Sequence, residues 1–482
     1  MKTLGCSLAL VTLALVYCGV AQAEPADAVV ERPKYAQNAQ FAQLRHDEDW
    51  SFLRDYKGES DFFDPIKYLA LNGTGSIWLS MGGQLRERVE IWESFNFDDT
   101  PGAKSDDIYL LQRLMFHADL HVTPHLRFYA QGKSALTTDR DLPGGRRPIE
   151  EDQIDLQNGF VELKAPTLGP AGEVTLRAGR QELLFGRERL VSPLDWTNTR
   201  RTFDDITLSG VVGDWKVTSF VSHLVTIKEK SANNYDLDTD FHGIYATHSE
   251  IPVVGLLDLY YFYLARNDVA FSGETGDEDR HTLGARLFGP IGESIFDYEV
   301  ELDYQAGEVG SGDVNALSLA SVLGATLPDD AWKPRLELSF DYASGDETPD
   351  DGDAETFNQL FPLGHAYFGF IDFVGRQNII HVQSMALARP LPTTTLRLDL
   401  HYFWRASDED ALYNAAGGIQ RPGAGTSSRD VGGEIDLTAT RSFGRHLALT
   451  GGYSHFFAGN FIDETGKNQD VDFVYFQLQY TL

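Results

Sequence analysis

Cysteine is almost missing from this 482-residue chain, and the only two, Cys6 and Cys18, fall within its first 23 residues. The remainder therefore has no disulfide framework and no Cys-based metal site. Long apolar runs are also scarce. Leu8–Val20 is the exception, and it is too short, and too closely followed by charge, to span a bilayer as a helix. No Pro/Gly/Ser-rich stretch separates halves of different composition, so a chain of two or three linked soluble domains is not indicated. Basic residues are outnumbered, 40 against 72 acids, for a net charge of −32, and no nucleic-acid partner is expected. G-x-S-x-G, P-loop and H-E-x-x-H motifs are absent and the 13 histidines are dispersed. No catalytic residue, metal ligand or cofactor is therefore expected.

The N-terminus reads as an export signal. Lys2 precedes the apolar core, and Ala21-Gln22-Ala23 is an A-x-A cleavage site giving a mature start at Glu24. Bulky Tyr17 before Cys18 argues against lipidation. An exported chain without transmembrane helices can still cross a membrane as a closed β-barrel, whose backbone groups pair between strands. The period-two signal for such strands is clear at 295–306. There Phe296, Tyr298, Val300, Leu302 and Tyr304 alternate with Asp297, Glu299, Glu301, Asp303 and Gln305. A helix would scatter those acids around its circumference. The same alternation recurs at 77–92 (with Glu87 an exception on the apolar face), at 333–345 and at 393–405.

Eighteen such segments can be read between 77 and 482. Connections after odd strands are long and polar (93–107, 139–155, 182–202, 226–240, 346–375, 406–429). Those after even strands are mostly tight turns such as Thr123-Pro124, Gly213 and Ser442–Arg445. That asymmetry is the outer-membrane arrangement of external loops and periplasmic turns, and an even count leaves both termini in the periplasm. The last segment, Phe476, Leu478, Tyr480 and Leu482 alternating with polar residues, fits an assembly-signal strand. The expected organisation is a signal peptide (1–23), a periplasmic or lumenal extension (24–75) and an all-β transmembrane barrel (76–482). Trp78, Trp92, Tyr109, Trp215, Trp404 and Phe456 lie near strand ends and suit either interfacial girdles or ordinary strand propensity.

Several segments resemble the alginate-export porin family: Leu176–Gln181 running into Gly186-Arg187 and Asp195–Asn198, His401–Arg405, Asp430–Leu437, and Phe361–His365 through Gly375–Asn378. The resemblance covers the chain from about Asp49 onward. It implies an eighteen-stranded barrel secreting a polyanionic polysaccharide through an arginine-lined pore. The family's best-known members carry a long periplasmic segment near the C-terminus, whereas the turn here, Ser442–Arg445, is short.

The candidate pore residues are Arg86, Arg88, Arg113, Arg127, Arg177, Arg180, Arg187, Arg376, Arg397 and Arg405, with Lys133 beside them. Guanidinium forks pair bidentately with carboxylates, which suits uronates. First and last strands adjoin in a closed barrel, so these bases would form one wall facing acidic strand 295–306, while pairing with lumenal acids such as Glu90, Asp119, Glu162 and Asp399 is the structural alternative. Much of the remaining acid, including Glu274–Asp279 and Asp346–Glu355, is assigned to external loops; the latter lacks EF-hand spacing and reads as a solvated loop rather than a calcium site. Expected partners are an anionic polysaccharide or small anionic solutes, outer-membrane lipids, the barrel-assembly machinery and periplasmic export components, with the protein itself a monomer. The rival functions are a diffusion porin for sugars or organic acids, a barrel phospholipase and a plugged receptor.

Overall fold

The computed structural model describes residues 41–482, apart from 59, 166–171, 253, 350 and 424. The signal peptide lies outside the described residues. Eighteen antiparallel strands close into a barrel. They are β1 (Trp78–Glu93), β2 (Asp107–Thr123), β3 (Leu126–Thr137), β4 (Asp152–Ala165), β5 (Val174–Gln181), β6 (Phe203–Val212), β7 (Trp215–Thr226), β8 (Asn234–Ile251) and β9 (Gly255–Phe271). The second half runs β10 (Glu274–Pro290), β11 (Phe296–Val309), β12 (Gly312–Thr326), β13 (Arg335–Ala343), β14 (Ile379–Leu391), β15 (Thr394–Arg405), β16 (Asp430–Phe443), β17 (Leu447–Ala458) and β18 (Val471–Thr481). Each pairs with its sequence neighbour, and β18 closes the ring on β1 from Gln84↔Thr481 to Glu93↔Asp472. Closure removes every sheet edge, as a lipid-embedded sheet requires. Among the described residues no helix is long and apolar enough to cross a membrane.

The period-two pattern sorts residues as read from sequence. Leu338, Leu283, Leu114 and Phe476 are each more than half exposed on the outer face, forming the lipid belt. Glu87 also faces outward, where Gln112 Nε2 donates to its carboxylate. Three details differ from expectation. Residues 226–240 are mostly strand, because β8 begins at Asn234. Glu274–Asp279 opens β10 rather than a loop, joined to β9 by a two-residue turn at Ser272-Gly273, so the acids alternate along a strand. And β14 starts at Ile379, leaving Arg376 in a loop.

The girdle expectation fails at four of its six residues. Trp78, Trp92, Tyr109 and Phe456 are buried on the lumenal face, Trp78 stacking on His121 at 3.8 Å and Trp92 on Phe473 at 4.2 Å. The physical reason is that the lumen is not simply water-filled. Inward-folded loops and the segment before β1 give it an apolar core of Phe, Leu and Tyr side chains. The β16–β17 turn is short, Gly444–His446, as the sequence indicates.

Candidate functional site

Loops on the side opposite the termini fold into the barrel, and two of them build the site. The first, 182–202, joins β5 to β6, and its residues Leu183, Leu190 and Val191 are buried among Phe203, Phe241, Phe262 and Phe361. At its tip Phe185 stacks on Phe220 (5.4 Å) and Tyr245 (5.1 Å) of the wall. Gly186 follows at φ +56, where a Cβ would sit 2.8 Å from the Tyr245 hydroxyl, so a side chain here would push the tip off the wall.

This loop is strapped across the lumen by charge. On one side the guanidiniums of β1 and β2 donate to its backbone: Arg86 to the carbonyls of Asp195 and Thr197 (both 2.7 Å), and Arg88 to that of Trp196 (2.8 Å). Arg113 pairs with the Asp195 carboxylate at 2.7 Å, and Lys133 of β3 donates to the Thr199 carbonyl at 2.7 Å. On the other side Arg187 and Arg189 of the loop reach Glu299 of β11, and Arg189 also reaches Glu301 at 2.7 Å. β11 is ten strands from β1 in an eighteen-stranded ring, so basic and acidic walls face each other. The strap lies between them with its own charges matched to each.

The second loop, 344–378, joins β13 to β14 and pairs with the first through backbone bonds: Ser192 N–H to the Phe361 carbonyl, Phe361 N–H to that of Leu190, and Leu363 N–H to that of Glu188. A column of planar groups runs through the contact. The Arg88 guanidinium lies 3.8 Å over Trp196, Trp196 stacks on His365 at 3.7 Å, and His365 on Phe370 at 4.4 Å. Among the described residues no group of three or more His, Cys, Asp or Glu could hold a metal ion.

The segment before β1 enters from the other end. Arg45 and Lys67 both donate to the backbone oxygen of Leu482, at 2.7 and 2.8 Å. Arg127 donates to the His46 carbonyl at 2.6 Å, and His46 packs edge-on against Tyr129 and Phe160 of the wall. Gln43 reaches Glu188 at the strap. Arg45, His46, Trp50 and Lys67 are buried against the barrel, while Phe62 between them is 86% exposed.

Burial sets the proton affinities of this segment. Lys67 is pushed down to about 7, chiefly by burial, against the opposing pull of Glu48. His46 is lowered well below its ordinary value, again by burial first and then by Arg177 and Arg127. Both bases bind protons more readily when undocked. Docking therefore strengthens with rising pH: for His46 as pH climbs through the free-imidazole range near ~6.5, and for Lys67 between about 7 and the free-lysine value near ~10.4. Acidification through the imidazole range should increase the mobility of a spin label placed at exposed Asp49 (Asp49→Cys). A label equally immobile from acid to alkaline pH would contradict this.

The ten sequence candidates fare differently. Arg86, Arg88 and Arg113 hold the strap. Arg127 is paired with Asp119 (2.7 Å), Arg177 with Glu162 (2.7 Å), Arg376 with Asp341 (2.8 Å) and Arg397 with Asp399 (2.6 Å). Arg180 faces away from the lumen, pairing with Asp204 and Asp155 on the outer side; three residues on from lumenal Arg177, strand parity turns it outward. Arg405 is fully buried and organises the 406–429 loop, donating to carbonyls of Asp408, Asp410 and Ser428 over the ring of Phe461. Only Arg187, with 43% of its side chain exposed, and Arg397, with 32%, present substantial surface. Sequence reasoning missed Arg189, Arg200, which pairs with Glu182 and Asp195 within the first loop, and the Arg45/Lys67 pair, since nothing in a polar segment's composition marks it as folded inward.

The chain matches the alginate export family over residues 77–476. No curated protein matches it. Solved Pseudomonas aeruginosa structures share the fold at low identity. OpdQ is 14% identical with a TM-score of 0.57, covering 84% of this chain and 98% of its own. OpdL (15%, 0.55) covers 84% and 98%, and OccK11, also called OpdR (13%, 0.54), covers 84% and 96%. With the closed eighteen-stranded ring and its lipid belt, the family match makes this an outer-membrane channel protein, and the chain belongs to the alginate export family.

Proposed function

We propose that the barrel carries an acidic polysaccharide of the alginate type, or its oligomers, past the strap without catalysing any reaction on it. The observation behind this reading is Arg187. It is the candidate guanidinium with the largest exposed share, it sits at the tip of the inward loop, and it pairs with the Glu299 carboxylate at 3.1 Å. A uronate carboxylate could share its fork, and hydroxyls of successive sugars could follow the polar walls. Family membership supports the same substrate class.

A second reading, selective diffusion of small organic acids, is favoured by crowding, since two loops and the N-terminal segment share the lumen. Chain length separates the two. In planar bilayers, oligouronates should block ion current with residence times that lengthen with oligomer size, while neutral oligosaccharides of equal length should block weakly. Arg187→Ala should shorten uronate blocks several-fold. Equal block by charged and neutral sugars would overturn the polyanion reading, and block by monomers alone would favour the small-acid one.

A further inference from the structure

Five buried side chains on four consecutive strands form a polar line along the lumenal wall: Asp341 (β13), His381 (β14), His401 (β15), and Asp436 and Glu434 (β16). Asp341 Oδ2 lies 3.1 Å from His381 Nδ1, and His381 Nε2 lies 3.0 Å from His401 Nδ1. His401 Nε2 lies 3.3 Å from Asp436 Oδ2. Both ends of the line grip the second lumenal loop. Arg376 donates to Asp341 at 2.8 Å, and the Ile371 N–H donates to Glu434 at 2.9 Å. Between them Phe368 sets its ring edge-on to His381 at 5.2 Å, and Gly369 lies so close to Glu434 that a Cβ would come within 2.4 Å of its carboxylate.

Counting protons shows what state the line needs. Its three contacts each require one proton, and two neutral imidazoles supply two. The third must come from the acid pair or from a single imidazolium. Asp436 and Glu434 lie two residues apart on one face of β16 and both are buried, so a proton kept between them spares two ionised carboxylates from facing each other. The line fails once acid has charged both rings: with both imidazolium, two N–H groups would face each other across the 3.0 Å contact. The surroundings do not relieve this. Arg376 and Asp372 of the second loop, Arg189 of the first, Arg397 and Asp399 of β15, and Tyr475 of β18 face the line, and Asp303 of β11 faces Arg376 and Arg189. Arg376, 2.8 Å from Asp341, is itself cationic and is the loop's own anchor.

We propose that this line is a proton-operated clasp on the second lumenal loop, which acid splits at the His381–His401 contact so that the loop lets go and the channel opens. The inference rests on the channel reading of the lumen but not on its solute. It is tested by ion current in potassium chloride alone, stepping from about pH 8 to about pH 5 to bracket the histidine range. Wild-type conductance should rise several-fold and reversibly on acidification. The His381→Gln/His401→Gln double variant, which keeps donors and acceptors but cannot titrate there, should lose most of the rise and keep only the part that release of the N-terminal segment supplies; its folding is checked by heat-modifiable electrophoretic mobility. Should the pair fail to insert, His381→Gln alone carries the same expectation of a blunted response. A wild-type conductance that ignores pH, or a pH response undiminished by both substitutions, would overturn the clasp. Current absent at every pH would overturn it together with the channel reading.

Discussion

Replacing Arg88 and Arg113 together by alanine is expected to raise single-channel conductance several-fold while leaving the barrel folded. These two side chains share the strap's attachment to the basic wall with Arg86 and Lys133: Arg113 through the Asp195 carboxylate, and Arg88 through the Trp196 carbonyl and the face of its indole. Hydrogen bonds from charged donors contribute about 1.5–3 kcal/mol each, and the variant loses those of both arginines to the strap, while Asp195 keeps its pairing with Arg200. That loss falls on the strap's docked state. The closed ring does not depend on it, since β1 and β2 remain paired from Trp78↔His121 to Trp92↔Asp107. Trp196 reports the change independently, because release from Arg88 and His365 exposes its indole to water. Unchanged conductance with an exposed indole would mean that the strap does not limit the pore; an unchanged indole would mean that the arginines do not hold it.

Undocking the N-terminal segment should have a comparable effect at the other mouth. Arg45→Met and Lys67→Met together remove both side-chain donors that meet the Leu482 oxygen, while preserving much of the apolar stem that packs near Phe41 and Trp50. Hydrogen bonds from charged donors contribute about 1.5–3 kcal/mol each, so losing two should shift a docked segment largely to the undocked state. The expected result is a larger conductance together with faster proteolysis between Phe41 and Lys67. The spin-label signature at position 49 should then lose its dependence on acid, because the segment is free at every pH. A variant that stays protected and conducts like the wild type would show that the apolar packing around Trp50, rather than the two cations, secures the segment.

Much of the barrel is legible in the alternation. Phe296–Gln305 announces its two faces, and the short turn Gly444–His446 appears where the sequence has room for nothing longer. Period two, however, divides a strand into two faces without saying which solvent each face sees. Trp92 and Tyr109 look like girdle residues because aromatics near strand ends usually meet lipid, yet here they pack against loops inside the lumen. The loops explain the other shortfalls. A stretch such as 182–202 is polar and glycine-bearing whether it waves in solvent or crosses the barrel; what draws it inward is complementarity between Arg86, Arg88 and Arg113 and the carbonyls and Asp195 opposite them. Such pairing joins residues about a hundred positions apart and leaves no local mark. Arg180 and Arg405 show the limit of motif-based selection: both lie in family-like segments, but strand parity turns one outward and loop carbonyls consume the other.

The central claim is that a lumen spanned by a charge-matched strap, with Arg187 accessible at its tip, favours anions although the protein as a whole carries a net charge of −32. Local charge at a constriction, focused by low-dielectric walls, outweighs distant loop acids screened beyond roughly a Debye length of ~10 Å. The reversal potential across a potassium chloride gradient measures this directly. The account predicts the sign of anion preference in the wild type and a shift toward cations in Arg187→Ala. A cation-selective wild type whose reversal potential is unmoved by that substitution would contradict it.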